Sequence, residues 1–313
     1  MSTMHAVRIH RYGGTDVLQY EEAPRPTPGP GEVLIRILAT TVNPFDCAVR
    51  AGYMTAYFSH TLPLILGTDV SGIVEELGPG VTSPAVRQSV YTRTGVFRDG
   101  SYAEYAVAPA ADTVVKPISL DHTHTAAIPH ALLTAWQGLY EIAQLARGQT
   151  VLIQGAGGGV GHLAVQLAKL RGATVIGTGS INIDFVRSLG VDQAVNYATT
   201  RLEDAVRDVD VVLDLVGGEV QDRSWSVLRP GGILVSTVQP PSEERAREHG
   251  VRQAMVATAP PIGPVLTEVA ALVDAGKLRP EVSQVLPLSE IRTAHELIEG
   301  RHTRGKIVLQ VMS

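Results

Sequence analysis

The sequence predicts a two-domain α/β protein, with a β-rich barrel or sandwich first and a doubly wound parallel sheet after it. Three observations predict this. Short apolar runs separated by Pro/Gly clusters fill residues 1–115. After about residue 120, strands and helices alternate. A glycine-rich turn, Gly155-Ala156-Gly157-Gly158-Gly159-Val160-Gly161, joins one of those strands to one of those helices. With 313 residues, 44 % hydrophobic and 18 % charged, the chain is too long for one small core and apolar enough to build two.

Within the first part, residues 33–38 (VLIRIL) have the length and composition of a strand, and 69–75, 88–92 and 103–107 are similar runs. PRPTPGPG at 24–31, GPG at 78–80 and DG at 99–100 separate them. Proline fixes φ and glycine admits the turn, so these clusters punctuate strands. The proline-rich piece reads as a rigid loop rather than a polyproline ligand.

Residues 125–146 carry helical spacing in Ala126, Leu132, Leu133, Trp136, Leu139, Ile142 and Leu145, and Gly148 ends the pattern. Strands follow at 150–154, 173–177, 209–213 and 231–236, with a weaker one near 193–196, and helical stretches lie between them. Alternation of this kind argues for a parallel sheet covered by helices. Residues 264–276 and 289–299 read as helices, and 306–311 (KIVLQV) reads as a closing strand. That last strand hints at a first domain completed by the C-terminus. The expected limits are 1–124 with 266–313 for the first domain and 125–265 for the second.

A net charge of −5 argues against nucleic acid or an anionic membrane as the main partner. The one cysteine, Cys47, forms no internal disulfide and builds no cysteine-based zinc site. The N-terminus lacks an apolar signal region, and no apolar run approaches the roughly 18–20 residues of a membrane helix. The expectation is a soluble, cytoplasmic chain.

The order strand, glycine turn, helix is the context in which a glycine cluster points to a dinucleotide. A Cβ in the turn would hold the backbone away from a pyrophosphate. The first turn of a helix offers free N–H groups and the positive end of its dipole. Gly158, Gly159 and Val160 are the candidate phosphate contacts, and Gly161 lets the helix approach the strand. Ala156 replaces the first glycine of the strict GxGxxG spacing. The following strand chooses the cofactor. NAD binders place an acid about 20 residues after the turn to hold the ribose 2′-hydroxyl. Here the strand ends Gly177-Thr178-Gly179-Ser180, with no carboxylate before Asp184. This favours NADPH. Thr178, Ser180 and Asn182 are the candidate contacts, with Arg187 the nearest cation or else a solvated helix residue. Tyr197 either flanks the adenosine ribose or simply packs.

Several segments together resemble the zinc-independent quinone oxidoreductase branch of the medium-chain dehydrogenase/reductase superfamily. They are VNPFDCAVRAG at 42–52, LGTDVSGIV at 66–74, GSYAEY at 100–105, LTAWQGL at 133–139, IQGAGGGVG at 153–161, VLDLVGG at 212–218 and GKIVL at 305–309. The resemblance spans essentially the whole chain. It implies a GroES-like β-barrel catalytic domain and a Rossmann domain, with NADPH in the cleft between them and reduction of quinones, enones or related activated double bonds. It also places Thr134 near the nicotinamide, adds Val216 to the cofactor contacts and suggests a homodimer, with 253–258 (QAMVAT) as a candidate edge strand. Zinc-dependent relatives carry metal ligands at positions that match Asn43, Thr68 and His130. A catalytic zinc needs about three protein ligands, and only His130 is one, so no metal is expected.

Without a metal, hydrogen-bond donors must stabilise the charge that hydride transfer builds on a carbonyl oxygen. Asn43 and Tyr53 are the catalytic candidates. Against them stand Asn43 as a turn residue before Pro44 and Tyr53 as a packed aromatic. His130 is a candidate proton donor, and Asp46 with Arg50 a candidate structural pair. Tyr57, Phe58 and His60 form either an apolar wall for a planar acceptor or a plug for their own domain. The leading expectation is an NADPH-dependent quinone reductase acting on a small-molecule quinone or enone. A reductase of unsaturated ketones, aldehydes or enoyl thioesters and a non-catalytic NADPH sensor are the alternatives.

Overall fold

The computed structural model describes residues 2–57, 60–95, 97–256, 262–301 and 303–312. The chain divides into two compact units. One comprises residues 1–130, 261–276 and 280–313, and the other 131–260 and 277–279.

The first unit opens with β1 (Thr3–Ile9), which buries Met4, Ala6, Val7 and Ile9, with the alternation of faces broken between Ala6 and Val7. It pairs antiparallel with β2 (Gln19–Pro24). After β3 (Glu32–Thr41), Asn43 starts α1 (Pro44–Ala51), and Pro44 is pre-set for a first helical position. Gly52 ends that helix in the left-handed region, at φ 85°. Then come β4 (Leu64–Ile65), β5 (Asp69–Leu77), β6 (Ser89–Arg93), β7 (Tyr105–Pro109) and β8 (Val114–Val115). β3 is the hub, pairing antiparallel with β5 and β7. Val33, Ile35 and Ile37 of β3 meet Val70, Val74 and Val90 in one apolar core.

The single helix expected at 125–146 is broken in three. α2 (His122–Ala126) is followed by α3 (Pro129–Trp136), and residues 137–142 form a π-helical turn. Pro129 has no N–H to continue the ladder, so it restarts the helix instead.

The second unit holds β9 (Thr150–Ile153), α4 (Gly161–Leu170), β10 (Thr174–Gly179), α5 (Ile183–Ser188), β11 (Gln193–Asn196), α6 (Leu202–Ala205), β12 (Val209–Asp214), α7 (Glu219–Ser224), β13 (Leu228–Ser236), α8 (Glu243–Glu248) and β14 (Arg252–Met255). Its sheet has the order β11-β10-β9-β12-β13-β14, and every pair is parallel. This is a Rossmann-type sheet. β9 is central and its neighbours run off in opposite directions, which puts a topological switch point at the end of β9, where ligands bind in such sheets. Val151, Leu152 and Ile153 are fully buried, as a strand covered on both faces requires.

The chain returns to the first unit through α9 (Ile262–Asp274), β15 (Val282–Pro287), α10 (Ile291–Glu299) and β16 (Lys306–Gln310). β16 pairs antiparallel with β3 and parallel with β15. Among the described residues, no helix is long and apolar enough to cross a membrane.

Candidate active site

The glycine turn leaves the end of β9 with Gly155 at φ 68°. A side chain strains there, which explains the glycine. The N–H of Gly155 donates to Thr178 Oγ1 at 3.1 Å, and the N–H of Ala156 to the Thr178 carbonyl at 3.0 Å. Thr178 is buried, and its hydroxyl and carbonyl hold the turn. The glycines differ in what a Cβ would meet. At Gly161 it would lie 2.7 Å from Ala156 Cα and closer still to the Gly155 carbonyl oxygen. At Gly158 the nearest atom would be that same oxygen, at 3.4 Å. Gly161 is therefore a packing requirement between α4 and the turn, and Gly158 opens onto free space. Gly159 and Val160, both half-buried, complete the entry to α4. An open cradle at the head of a ten-residue helix fits a dinucleotide's phosphates.

At the end of β10, Ser180 donates to the Tyr197 hydroxyl at 2.7 Å. Tyr197 is 58 % exposed, so its ring is a surface and not a core residue. Asn182 starts α5 and is half-buried. Arg187, the nearest cation, pairs with Asp184 at 2.6 Å on the same helix. Half-buried Val216 packs against Gly155, where a glycine Cβ would lie 3.3 Å from it. Thr134 lies half-buried in α3.

Beneath Val216 is a residue that the sequence reading missed. Asp214 ends β12 fully buried and accepts four hydrogen bonds. Its Oδ1 takes the N–H groups of Val216 (3.0 Å) and Gly217 (2.8 Å), and its Oδ2 takes Gln221 Nε2 (2.9 Å) and Ser236 Oγ (2.8 Å). A carboxylate so supplied with donors is stable without water. It fixes the loop that borders the glycine turn. An acid closing the apolar run Val211-Val212-Leu213, shortly before two glycines, was the available signal.

In the first unit, the three positions matched to metal ligands come together as a hydrogen-bonded chain. Asn43 Nδ2 donates to Thr68 Oγ1 at 3.3 Å and to Asp69 Oδ2 at 2.9 Å, and Thr68 Oγ1 lies 3.2 Å from His130 Nδ1. Asn43 is 2 % exposed, and both its amide hydrogens are engaged. It thus acts within this network, which narrows its role as a direct donor to an acceptor oxygen. Asp69 also accepts from Thr41 and from the His130 backbone N–H. Lys306, at the start of β16, brings its ammonium to Asn43 Oδ1 and within 3.5 Å of Asp69. The sequence reading missed both members of this buried ion pair. Lysine leading an apolar strand was the signal for one of them. No group of three or more His, Cys, Asp or Glu among the described residues could hold a metal ion.

Burial is the largest influence on Asp69 and pushes it up, but Lys306, His130 and the bonds from Asn43 and Thr41 more than offset it, so Asp69 stays below the usual carboxylate range. Burial pulls Lys306 down, opposed by Asp69 and Asp46. Burial also lowers His130 to about 3, so its ring is neutral. Asp46 is pushed up to about 7 by burial.

Asp46 accepts the Asn43 backbone N–H (2.8 Å) and the Tyr102 hydroxyl (3.1 Å), capping α1. The structural pair with Arg50 expected from the sequence does not form. Arg50 instead reaches Glu299 at 2.5 Å and the Gly13 carbonyl at 3.2 Å, because it faces α10 rather than the start of its own helix.

These groups set a pH dependence. His130, His295 and His122 are lowered from 6.5 to about 3, 3 and 4, chiefly by burial. The unfolded chain takes up their protons below about pH 6.5 and the native chain does not, so stability falls on acidification. Asp46 opposes this, because the native state keeps its proton up to about 7 and the unfolded state only to 3.8. The urea midpoint should therefore be lower at about pH 5 than at about 6.5, and Asp46→Asn should steepen the loss. A flat profile across that interval would contradict these assignments.

Tyr53 follows Gly52 and is 78 % exposed, and Tyr57 is 71 % exposed, so neither is a packed core aromatic. Phe58 lies outside the described residues, as do 257 and 258 of the candidate edge strand. The described part of that strand, β14, is at the sheet edge. A hollow in the first unit is lined by the apolar Phe45, Val49 and Leu66 and by the polar Asp46, Thr68 and Arg98, among others.

Residues 29–118 match the family model "Alcohol dehydrogenase GroES-like domain", and residues 189–309 match "Zinc-binding dehydrogenase". The chain is 32 % identical to the mitochondrial NAD(P)H oxidoreductase RTN4IP1 of Danio rerio, over 99 % of this chain and 92 % of that one. It is 33 % identical to a 2-haloacrylate reductase of Burkholderia sp, over 97 % and 98 %. The structure of a quinone oxidoreductase from Coxiella burnetii superposes with a TM-score of 0.92 at 35 % identity, covering 99 % of this chain and all (100 %) of that one.

Proposed function

We propose the following reaction for a chain that belongs to the zinc-independent quinone and NAD(P)H oxidoreductases of the medium-chain dehydrogenase/reductase superfamily: hydride transfer from NAD(P)H to a quinone or an enone. The observation that carries it is the open cradle at Gly158, at the switch point of a parallel sheet and the head of α4. The first unit is GroES-like and β-rich. We take it to close as a barrel, with the chain a homodimer that pairs along β14.

Bound there, the dinucleotide supplies the hydride. The chain's own residues do the rest. The N–H of Gly158 is turned inward to the Gly155 carbonyl at 3.0 Å, so Gly158 leaves room for the phosphates, and Gly159 and Val160 receive them on backbone N–H groups. Thr178 and Asp214 hold the two loops around it, and Thr134 and Val216 border the nicotinamide half. On the acceptor side, charge builds on a carbonyl oxygen, and prearranged donors stabilise it. The cluster of Asn43, Thr68 and His130, together with Tyr53, serves this purpose. The hollow that Thr68 lines is where we place the acceptor's carbonyl oxygen.

We further propose that NADPH is preferred. No carboxylate stands at the end of β10, and Asp184 is neutralised by Arg187. Tyr197, whose hydroxyl accepts from Ser180 and keeps its own proton to donate, stands there with the uncharged Ser180 and Asn182, none of which repels a 2′-phosphate. Fluorescence titration with both dinucleotides should give at least about tenfold tighter binding of NADPH, roughly 1.4 kcal/mol. Equal or tighter NADH binding would sink this preference.

A further inference from the structure

The acceptor side contains a buried ammonium that the reaction as proposed does not use. Lys306 is 3 % exposed, and its Nζ faces Asn43 Oδ1, the Val42 carbonyl (3.5 Å) and Asp69 Oδ2 (3.5 Å). An ammonium has donors only, so it dictates which end of the Asn43 amide faces it. The oxygen must point at Lys306, and the NH2 group then points at Asp69 and Thr68. Asp69 accepts only, and it fixes the same orientation from the other side.

The consequence falls on Thr68. Its oxygen accepts one hydrogen from Asn43, so the hydroxyl's own proton must go elsewhere. Two places take it. One is Nδ1 of His130, 3.2 Å away, in the tautomer of the neutral ring that carries its proton on Nε2. The other is the hollow that Thr68 lines. Rotating a hydroxyl between two acceptors is easy, whereas rotating the locked Asn43 amide would break three hydrogen bonds. We infer that Lys306 is a positioning residue for the acceptor side, locking Asn43 so that the Thr68 hydroxyl becomes the donor offered to a carbonyl oxygen in the hollow. His130 Nδ1 holds that proton when no acceptor is present. No bond is made or broken in this step; a hydrogen bond is exchanged. The inference deepens the quinone and enone reading above and names the group that meets the acceptor.

The test has an arm that needs no turnover. The Asn43 side-chain amide, assigned by 15N NMR, should show slow hydrogen exchange in the 313-residue chain. Lys306→Met should accelerate that exchange at least about tenfold, and Lys306→Arg should restore most of the protection. Unchanged exchange in folded Lys306→Met overturns the lock. If Lys306→Met fails to fold, because Asp69 is left without its partner, Thr68 decides. Thr68→Val should lower kcat for a quinone about a hundredfold at unchanged NADPH affinity, and Thr68→Ser should recover most of it. Full kcat in Thr68→Val overturns the inference. In the folded double variant with Lys306→Met, the Thr68→Val loss should shrink, because the two act through one path. Failure of wild type to reduce any acceptor would count against the reaction, while the amide exchange still judges the lock.

Discussion

Gly161→Val is expected to abolish the folded second unit or to destabilise it by at least about 3 kcal/mol, the upper end of ordinary overpacking. The reason is backbone. Any Cβ at Gly161 falls against Ala156 Cα at 2.7 Å and on the Gly155 carbonyl, and neither can move without pulling β9 with it. Gly158→Ala separates packing from binding. Its Cβ would meet the Gly155 oxygen at 3.4 Å, an ordinary contact. That variant should keep its melting temperature and lose NADPH affinity at least about tenfold, since the added methyl occupies the space meant for phosphate. Thermal melts and dinucleotide titrations on both variants check this. A Gly158→Ala protein that binds NADPH like wild type would mean the phosphates lie elsewhere.

The second large effect is expected at Asp214. Asp214→Ala removes one acceptor and strands four donors in a dry site: the N–H groups of Val216 and Gly217, the Gln221 amide and the Ser236 hydroxyl. Orphaning buried groups costs about 1–3 kcal/mol each, and relaxation recovers part of it. A loss of about 3–5 kcal/mol in urea unfolding is expected, with weaker dinucleotide binding because the loop beside Gly155 loses its anchor. Asp214→Asn should lie between wild type and Asp214→Ala. It keeps one acceptor oxygen but presents an NH2 to groups that are themselves donors. A loss below about 1 kcal/mol in Asp214→Ala would show that the four donors find other partners.

The sequence disclosed the parts of this protein that depend on local rules. Strand, glycine turn and helix at 150–170 are a contiguous pattern, and the parallel sheet follows from the alternation after it. The short β-runs of the first unit were readable where breakers bound them. β1 and β15 were not, because TMHAVRI and VSQVLP mix polar and apolar residues that make sense only against partners far along the chain. The break at Pro129 was visible as a proline, yet the helical spacing on both sides masked it.

The candidate site divides the same way. Asn43, Thr68 and His130 were found by matching segments, and the structure brings them into hydrogen-bonding reach. What they do there depends on Lys306, 263 residues away in sequence from Asn43. No local pattern announces such a partner. Its place at a strand end makes Thr178 a candidate ligand contact. Only the turn packed against it reveals a hydroxyl holding the Gly155 N–H.

Hydride transfer from NADPH to a quinone or enone is tested most directly by NADPH oxidation by the purified 313-residue chain across a panel of both acceptor types. Acceptor-dependent oxidation, faster with NADPH than with NADH and lost in Thr68→Val, is the predicted result. Tight NADPH binding with no turnover on any quinone or enone would contradict it.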